Sequence, residues 1–387
     1  MEAYFDNAAT TRPIKEVCDK VAKVMYDDYG NPSSKHTKGM EAEEYVDEAR
    51  GIIADTLRCD KKNIVFTSGG TEANNQAIIG TAFAYRRSGK HIITTSYEHA
   101  SVHEPMFFLE NEGYEVTYLP VDKDGHVDPE ELAANIREDT ILISFMYVNN
   151  EVGAVNDVAA LISAARRVKK DVIIHVDAIQ AYGKYKIFPS RLGIDLMSVS
   201  SHKIHGPKGV GFLYRDERVK TGAYIFGGGQ ERDLRSGTEN VPGIAGFGTA
   251  AKSIYSDFDE KHAHMLEVKQ TLIDKIKDID GAVFNINRDL KAETGAPHVL
   301  SVSFAGVKSE VLLHALAADG VYVSSGSACS SNHPQLSGTL KAIGVDDALL
   351  DSTIRFSISY TNTVEQAEYA ADVLAKHVEV LKRFKRY

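Results

Sequence analysis

Residues 171–203 read DVIIHVDAIQAYGKYKIFPSRLGIDLMSVSSHK. Two short apolar runs, DVIIHV at 171–176 and DLMSV at 195–199, each give way at once to polar residues: Asp177 and Gln180 after the first, Ser200, His202 and Lys203 after the second. Short apolar runs bounded in this way are expected as buried strands. The same unit recurs upstream, as NIVFT at 63–67, HIITT at 91–95, EVTYL at 115–119 and TILISF at 140–145. Most of these runs are separated by segments of helical period. Residues 14–29 carry Ile14, Val17, Cys18, Val21, Val24 and Met25 at helical spacing, and a second such segment runs from Thr71 to about Arg87. This alternation predicts parallel strands joined by crossover helices.

The pattern changes after about residue 240. Helical stretches from Val241 to Ile279 lead into AVFNI, HVLSVSF and TIRFSIS, with a helix expected at 308–319 and another at 364–384. The chain has 387 residues, beyond the roughly 250–300 at which a single core stops growing. We therefore expect an α/β protein of two domains. The large one, residues 15–255, has a mainly parallel sheet flanked by helices; the small α+β one combines 1–14 with 256–387.

Composition narrows the function classes. An apolar fraction of 43% and a charged fraction of 25% are those of an ordinary globular protein. A net charge of −10 argues against a general nucleic-acid-binding surface. No run approaches the roughly 20 apolar residues that span a bilayer, so no membrane association is expected. The opening MEAYFDNAATT has neither a basic nor an apolar targeting region. Three widely spaced cysteines form no disulfide framework, and a cytoplasmic location is expected.

Polar clusters placed just after strands matter because open α/β sheets bind ligands at the C-terminal ends of their strands. Ser68 to Glu72 (SGGTE) lies between a strand and a helix, where backbone N–H groups at the helix start can hold a phosphate near Thr71. Such glycine-rich turns are also common without a ligand. Neither a Walker A pattern nor GxGxxG is present. Asp177 is placed either to pair with a protonated ring nitrogen of an aromatic cofactor or to cap a helix. Lys203, among polar neighbours, suits covalent attachment of an aldehyde cofactor, whereas an isolated surface lysine would serve only solubility.

Together these motifs carry a family resemblance. Asp177-x-x-Gln180 and Ser200-x-His202-Lys203, with GGTEANN at 69–75 and Tyr97-Glu98-His99, resemble the class V aminotransferase group. Within it, SSGSACSS at 324–331 and RSGTEN at 235–240 resemble the cysteine desulfurases of the NifS/IscS type. The likeness runs from Asp6 to Arg355. It implies pyridoxal phosphate (PLP) held covalently by Lys203, with Asp177 on the pyridinium nitrogen and Gln180 on the ring hydroxyl. His99 would stack on the ring and exchange a proton with substrate. Thr71, Ser200 and His202 would hold the phosphate, with Thr238 arriving from the second subunit of a homodimer. Asn149 and Arg355 would bind the carboxylate of L-cysteine. Cys329 would accept its sulfur as a persulfide, leaving alanine, and pass the sulfur to an acceptor protein, either an iron–sulfur scaffold or a tRNA-thiolation enzyme. The chain ends soon after the helix at 364–384, short of the IscS-type tail, and GGGQERDLRSGTENVPG at 227–243 reads closer to NifS.

Other readings compete. Selenocysteine lyase differs by one substrate atom. His99, His103 and Glu104 suggest a metal-dependent hydrolase, though without HExxH spacing or a third ligand. A non-catalytic scaffold would be expected to lose Lys203, Cys329 or Arg355, and all three are present. Of the other cysteines, Cys18 is expected in the core on the apolar stripe of its helix, and Cys59 at a packing boundary.

Overall fold

The structure is a computed structural model that describes residues 1–325 and 336–383. Strand β1 (Ala3–Tyr4) opens the chain, and the next seven strands build one sheet: β2 (Ile64–Thr67), β3 (His91–Thr95), β4 (Glu115–Leu119), β5 (Thr140–Met146), β6 (Ile173–Asp177), β7 (Leu196–Ser200) and β8 (Gly211–Arg215). Their spatial order is β2-β8-β7-β6-β5-β3-β4. Every pair from β7 across to β4 is parallel, whereas β8 is antiparallel to both β7 and β2. The mainly parallel sheet flanked by helices is present, and β8 is an addition to the strands read from the sequence. It reverses because only residues 201–210 join it to β7. A parallel return needs a crossover of about a dozen residues or more.

Strands buried on both faces read as continuous apolar runs, which is why they were legible. All of β5 and β6 is buried. The one basic side chain there, His175, is satisfied across the sheet by Ser144 on β5 (2.8 Å) and Ser198 on β7 (2.9 Å). Burial pushes its pKa down to about 3, so it is a neutral core histidine.

Side-chain alternation along the strands makes two cores. Ile64, Phe66, Met197, Val199 and Phe212 face helices Lys15–Tyr26, Thr37–Leu57, Val158–Val168 and Val241–Tyr255. Val65, Leu196 and Leu213 face helices Gly70–Ala84 and Ala100–Asn111. Cys18 departs from expectation: it is exposed. The first helix buries Val17 and Val24 with Ile14 and Val21 packed beside them, and Cys18 lies one residue round from that stripe. Cys59 packs partly buried against the core edge.

The remaining strands are β9 (Ala282–Phe284), β10 (Val299–Phe304), β11 (Val321–Tyr322), β12 (Ser324–Ser325) and β13 (Thr353–Ser357). An antiparallel sheet of order β12-β13-β10-β9 packs Phe304 and Phe356 against Leu272, Leu312 and Leu374 of the helices Phe258–Ile276, Ser309–Ala318 and Val364–Arg383. β11 pairs in parallel with β1. From β1 the N-terminal segment continues towards the large sheet, where Thr11 donates to the His202 carbonyl (2.9 Å). Among the described residues no helix is long and apolar enough to cross a membrane.

Candidate active site

The C-terminal ends of β5, β6 and β7 and the turns after β2 and β3 open on one cavity of about 400 Å³. Of the residues singled out in the sequence, Thr71, His99, Asp177, Gln180, Ser200, His202, Lys203 and Arg355 line it. Asn149 and Thr238 are not in its lining. Asn149 is fully buried with its amide engaged: Oδ1 accepts from Glu151 N (2.8 Å) and Val152 N (3.0 Å), and Nδ2 donates to the Tyr97 carbonyl (3.3 Å). Its neighbour Asn150 lines the cavity instead. Thr238 is exposed. Cys329 lies outside the described residues.

Lys203 ends the short turn Ser201–Lys203 that follows β7. Its Nζ donates to the carbonyls of Ala8 (2.6 Å) and Ala9 (2.8 Å), so the N-terminal segment forms a wall of the site. Beneath it, buried Lys184 donates to the Lys203 carbonyl (2.5 Å), and burial with the nearby Lys203 charge pushes Lys184 down to about 7. His202 is pushed to about 4 by burial and then by Lys203, so it enters the site neutral.

Asp177, at the end of β6, accepts from Ile179 N at Oδ1 (2.9 Å) and from Asn74 Nδ2 at Oδ2 (2.8 Å). Burial pushes its pKa up, while these donors, with His99 and Lys203, oppose the shift. Gln180 donates to the Ala8 carbonyl (3.0 Å) and is met by His298 (3.3 Å). His99 caps the helix Ala100–Asn111 through its own ring nitrogen. Burial and Lys203 lower its pKa, against the pull of Asp177. Next to it, Glu98 joins the ends of two strands, accepting from Thr95 Oγ1 (2.6 Å) and Met146 N (2.9 Å). Burial, with Asp177 adding, pushes Glu98 up to about 8. His103 is engaged otherwise, stacked on Tyr118 at 5.9 Å.

Arg355 reaches the cavity from β13. Its Nη2 pairs with Asp6 (2.9 Å) and its Nη1 donates to the Asn150 carbonyl (2.8 Å). Among the described residues its Nε has no partner. Asp6, Asn74, Ser101 and Asn150 were given no role in the sequence reading. Asn74 sits inside the GGTEANN motif, and only the folded chain shows it touching Asp177.

This donor set fits PLP. Gly69, at φ +152°, precedes a helix whose N-cap makes no side-chain hydrogen bond, which leaves first-turn amides for an anion near Thr71. A Cβ on Gly70 would come within 2.2 Å of Ile179 Cδ1, so with glycine there the helix start packs directly against the side chain that follows β6. A lysine, a buried carboxyl group and that helix start therefore share one cavity sized for a small aromatic phosphate.

A family model described as aminotransferase class-V matches residues 3–369. A cysteine desulfurase IscS of Dictyoglomus turgidum is 41% identical over 386 residues, covering 100% of this chain and 97% of that protein. A solved NifS-like protein superposes with a TM-score of 0.92 at 36% identity, covering 98% of this chain and 100% of its own. Another solved structure, SspA in complex with cysteine, gives a TM-score of 0.82 at 33% identity, covering 93% of this chain and 100% of its own.

Proposed function

This chain belongs to the aminotransferase class-V family, and from that premise we propose that it is a PLP-dependent cysteine desulfurase that moves the sulfur of L-cysteine onto Cys329 and releases L-alanine. The observation that carries the reading is the convergence of Lys203, Asp177, the uncapped helix start at Gly70 and Arg355 on one cavity. When bound, PLP supplies an electron sink that labilises the Cα proton and then the Cβ–S bond.

The protein's own groups do the rest. Asp177 keeps the ring nitrogen protonated, Gln180 meets the ring hydroxyl, and Thr71, Ser200 and His202 hold the phosphate. Nζ of Lys203 anchors the cofactor and then takes the Cα proton. The guanidinium of Arg355 orients the substrate carboxylate. Sγ of Cys329 bonds to the substrate sulfur as the Cβ–S bond breaks. The carbon keeps the electron pair and takes a proton, so cysteine and thiol become alanine and persulfide. Ser324 lines the cavity and Cys329 follows five residues later, a tether of at most about 18 Å. The relatives above are named for cysteine, which favours this substrate over selenocysteine.

Borohydride reduction of the yellow holoenzyme is expected to leave a phosphopyridoxyl group on the Lys203 peptide. Mass spectrometry finding that peptide unmodified would sink the assignment.

The working unit in this reading is a homodimer. Thr238 is exposed and outside its own chain's cavity, on a segment that Arg235 ties to Glu72 (2.8 Å) at the helix start. That leaves it available to complete a partner's phosphate shell. Lys203→Ala and Thr238→Val/Arg235→Ala are each expected to be inactive, and to regain part of the activity when their subunits are exchanged into hybrids. Hybrids without activity would rule the shared site out. The proposed setting is the cytoplasm, with sulfur passing to an iron–sulfur scaffold or a tRNA-thiolation enzyme, and with residues 15–255 and 1–14 plus 256–387 as the two domains.

A further inference from the structure

We infer that Asn74 and Ser101 are positioning residues that fix His99 in its Nε2–H tautomer, so that it meets the substrate as a hydrogen-bond donor and not as a base. One buried chain of hydrogen bonds links Asp177, Asn74, Ser101 and His99. Asp177 accepts from Ile179 N at Oδ1 (2.9 Å) and from Asn74 Nδ2 at Oδ2 (2.8 Å). With its amide turned the other way, Asn74 would set its oxygen against an Asp177 oxygen. Its NH₂ faces Asp177 and, at 2.9 Å, Ser101 Oγ, while its Oδ1 has no partner among the described residues.

Ser101 Oγ therefore accepts from Asn74, and its own hydrogen is left for His99 Nδ1, 2.9 Å away. A second donor makes the same demand independently: the Ser101 backbone N–H points at Nδ1 (3.1 Å) as the helix cap. With two hydrogens directed at it, Nδ1 carries none, and the ring proton sits on Nε2. Nε2 makes no hydrogen bond to the described residues, and His99 lines the cavity. Asn74 is fully buried and Ser101 is 6% exposed, so water does not compete for the chain. Protonating the ring would set an Nδ1–H against both Ser101 donors, in line with the lowered pKa.

A neutral imidazole held this way offers an N–H to an anionic atom of the substrate, its thiolate or its carboxylate. It has no lone pair in the cavity with which to collect a proton, and the Cα proton falls to Lys203. The inference rests on the cavity being the cysteine site, and is independent of where the sulfur goes. Its failure beside a correctly labelled Lys203 would leave the desulfurase reading standing.

The test is long-range ¹H–¹⁵N NMR of imidazole-labelled protein, without and with PLP, with His99→Asn identifying the His99 signals by their absence. Nδ1 is expected in the unprotonated range and Nε2 in the protonated range. Ser101→Ala should reduce the tautomer ratio by about fivefold, the bias of one ordinary hydrogen bond. Ser101→Thr, which keeps the hydroxyl, should retain the original ratio. Asn74→Ala leaves the backbone cap in place and should shift the ratio in the same direction as Ser101→Ala. A protonated Nδ1 in the unsubstituted protein, or a ratio unmoved in both alanine variants, would overturn the inference.

Discussion

Replacing Cys329 by Ser is expected to lower alanine release from cysteine by at least about 10³-fold while PLP binding and the colour change on adding cysteine persist. The two halves of the result separate because different groups carry them. Lys203, Asp177 and Arg355, which hold cofactor and substrate, are untouched by the substitution. A hydroxyl, however, is a poor nucleophile at sulfur, and the labile Cβ–S bond then has no group to take its sulfur. The other two thiols make poor substitutes. Cys59 is half-buried, and burial with Asp60 and Asp55 pushes its thiol up to about 12, so almost none is thiolate at pH 7. Cys18 is exposed on the first helix and is not in the cavity lining. Cys18→Ser and Cys59→Ser should therefore keep most of the activity. Alanine formed per active site in a single turnover is the quantity to measure, and near-normal formation by Cys329→Ser would assign the sulfur to another group.

The parallel strands were legible because burial on both faces leaves little room for polar residues, so β3, β5, β6 and β7 stand out as apolar runs. The helix Thr37–Leu57 did not stand out, for a reason visible in its packing. Its buried side includes Gly39, Ala42 and Ala49, and its contact with the helix Val241–Tyr255 is close enough that a Cβ on Gly248 would lie 2.8 Å from Ala49 Cα. Small residues make such contacts possible but weaken the periodic signal, which large side chains carry only at Val46, Ile53 and Leu57 of the buried side. β1 is two residues long and exists only by pairing with β11, more than 300 residues away, which no local pattern encodes.

The site divides along the same line. Asp177, Ser200 and Lys203 could be found because they follow strands, and strand ends in a parallel sheet face the ligand. Asn74 and Ser101 lie within helices, and they matter only because the turns after β2 and β3 bring those helices side by side. Asp6 and Asn150 are legible still less, since each touches Arg355 from a different part of the chain. Tertiary contacts such as these select partners that sequence spacing cannot.

Arg355→Ala is expected to raise the KM for cysteine by about 10²-fold, towards the lower end of the range for stripping a carboxylate of its buried charged partner. The side chain is 7% exposed and already holds two acceptors, Asp6 (2.9 Å) and the Asn150 carbonyl (2.8 Å), so its plane is set before substrate arrives. A preset guanidinium offers a carboxylate two parallel N–H bonds at little cost in side-chain entropy. Alanine removes that fork and also frees the Asp6 carboxylate, whose charge then repels the substrate's own. Arg355→Lys keeps the charge without the fork and should give a smaller rise, about tenfold. Asp6→Asn separates the contributions: if Asp6 chiefly orients the arginine, KM rises in that variant too, and if it chiefly competes for the guanidinium, KM falls. Steady-state kinetics on variants with an unchanged melting temperature decide the matter, and an unaltered KM in Arg355→Ala would remove Arg355 from the substrate site.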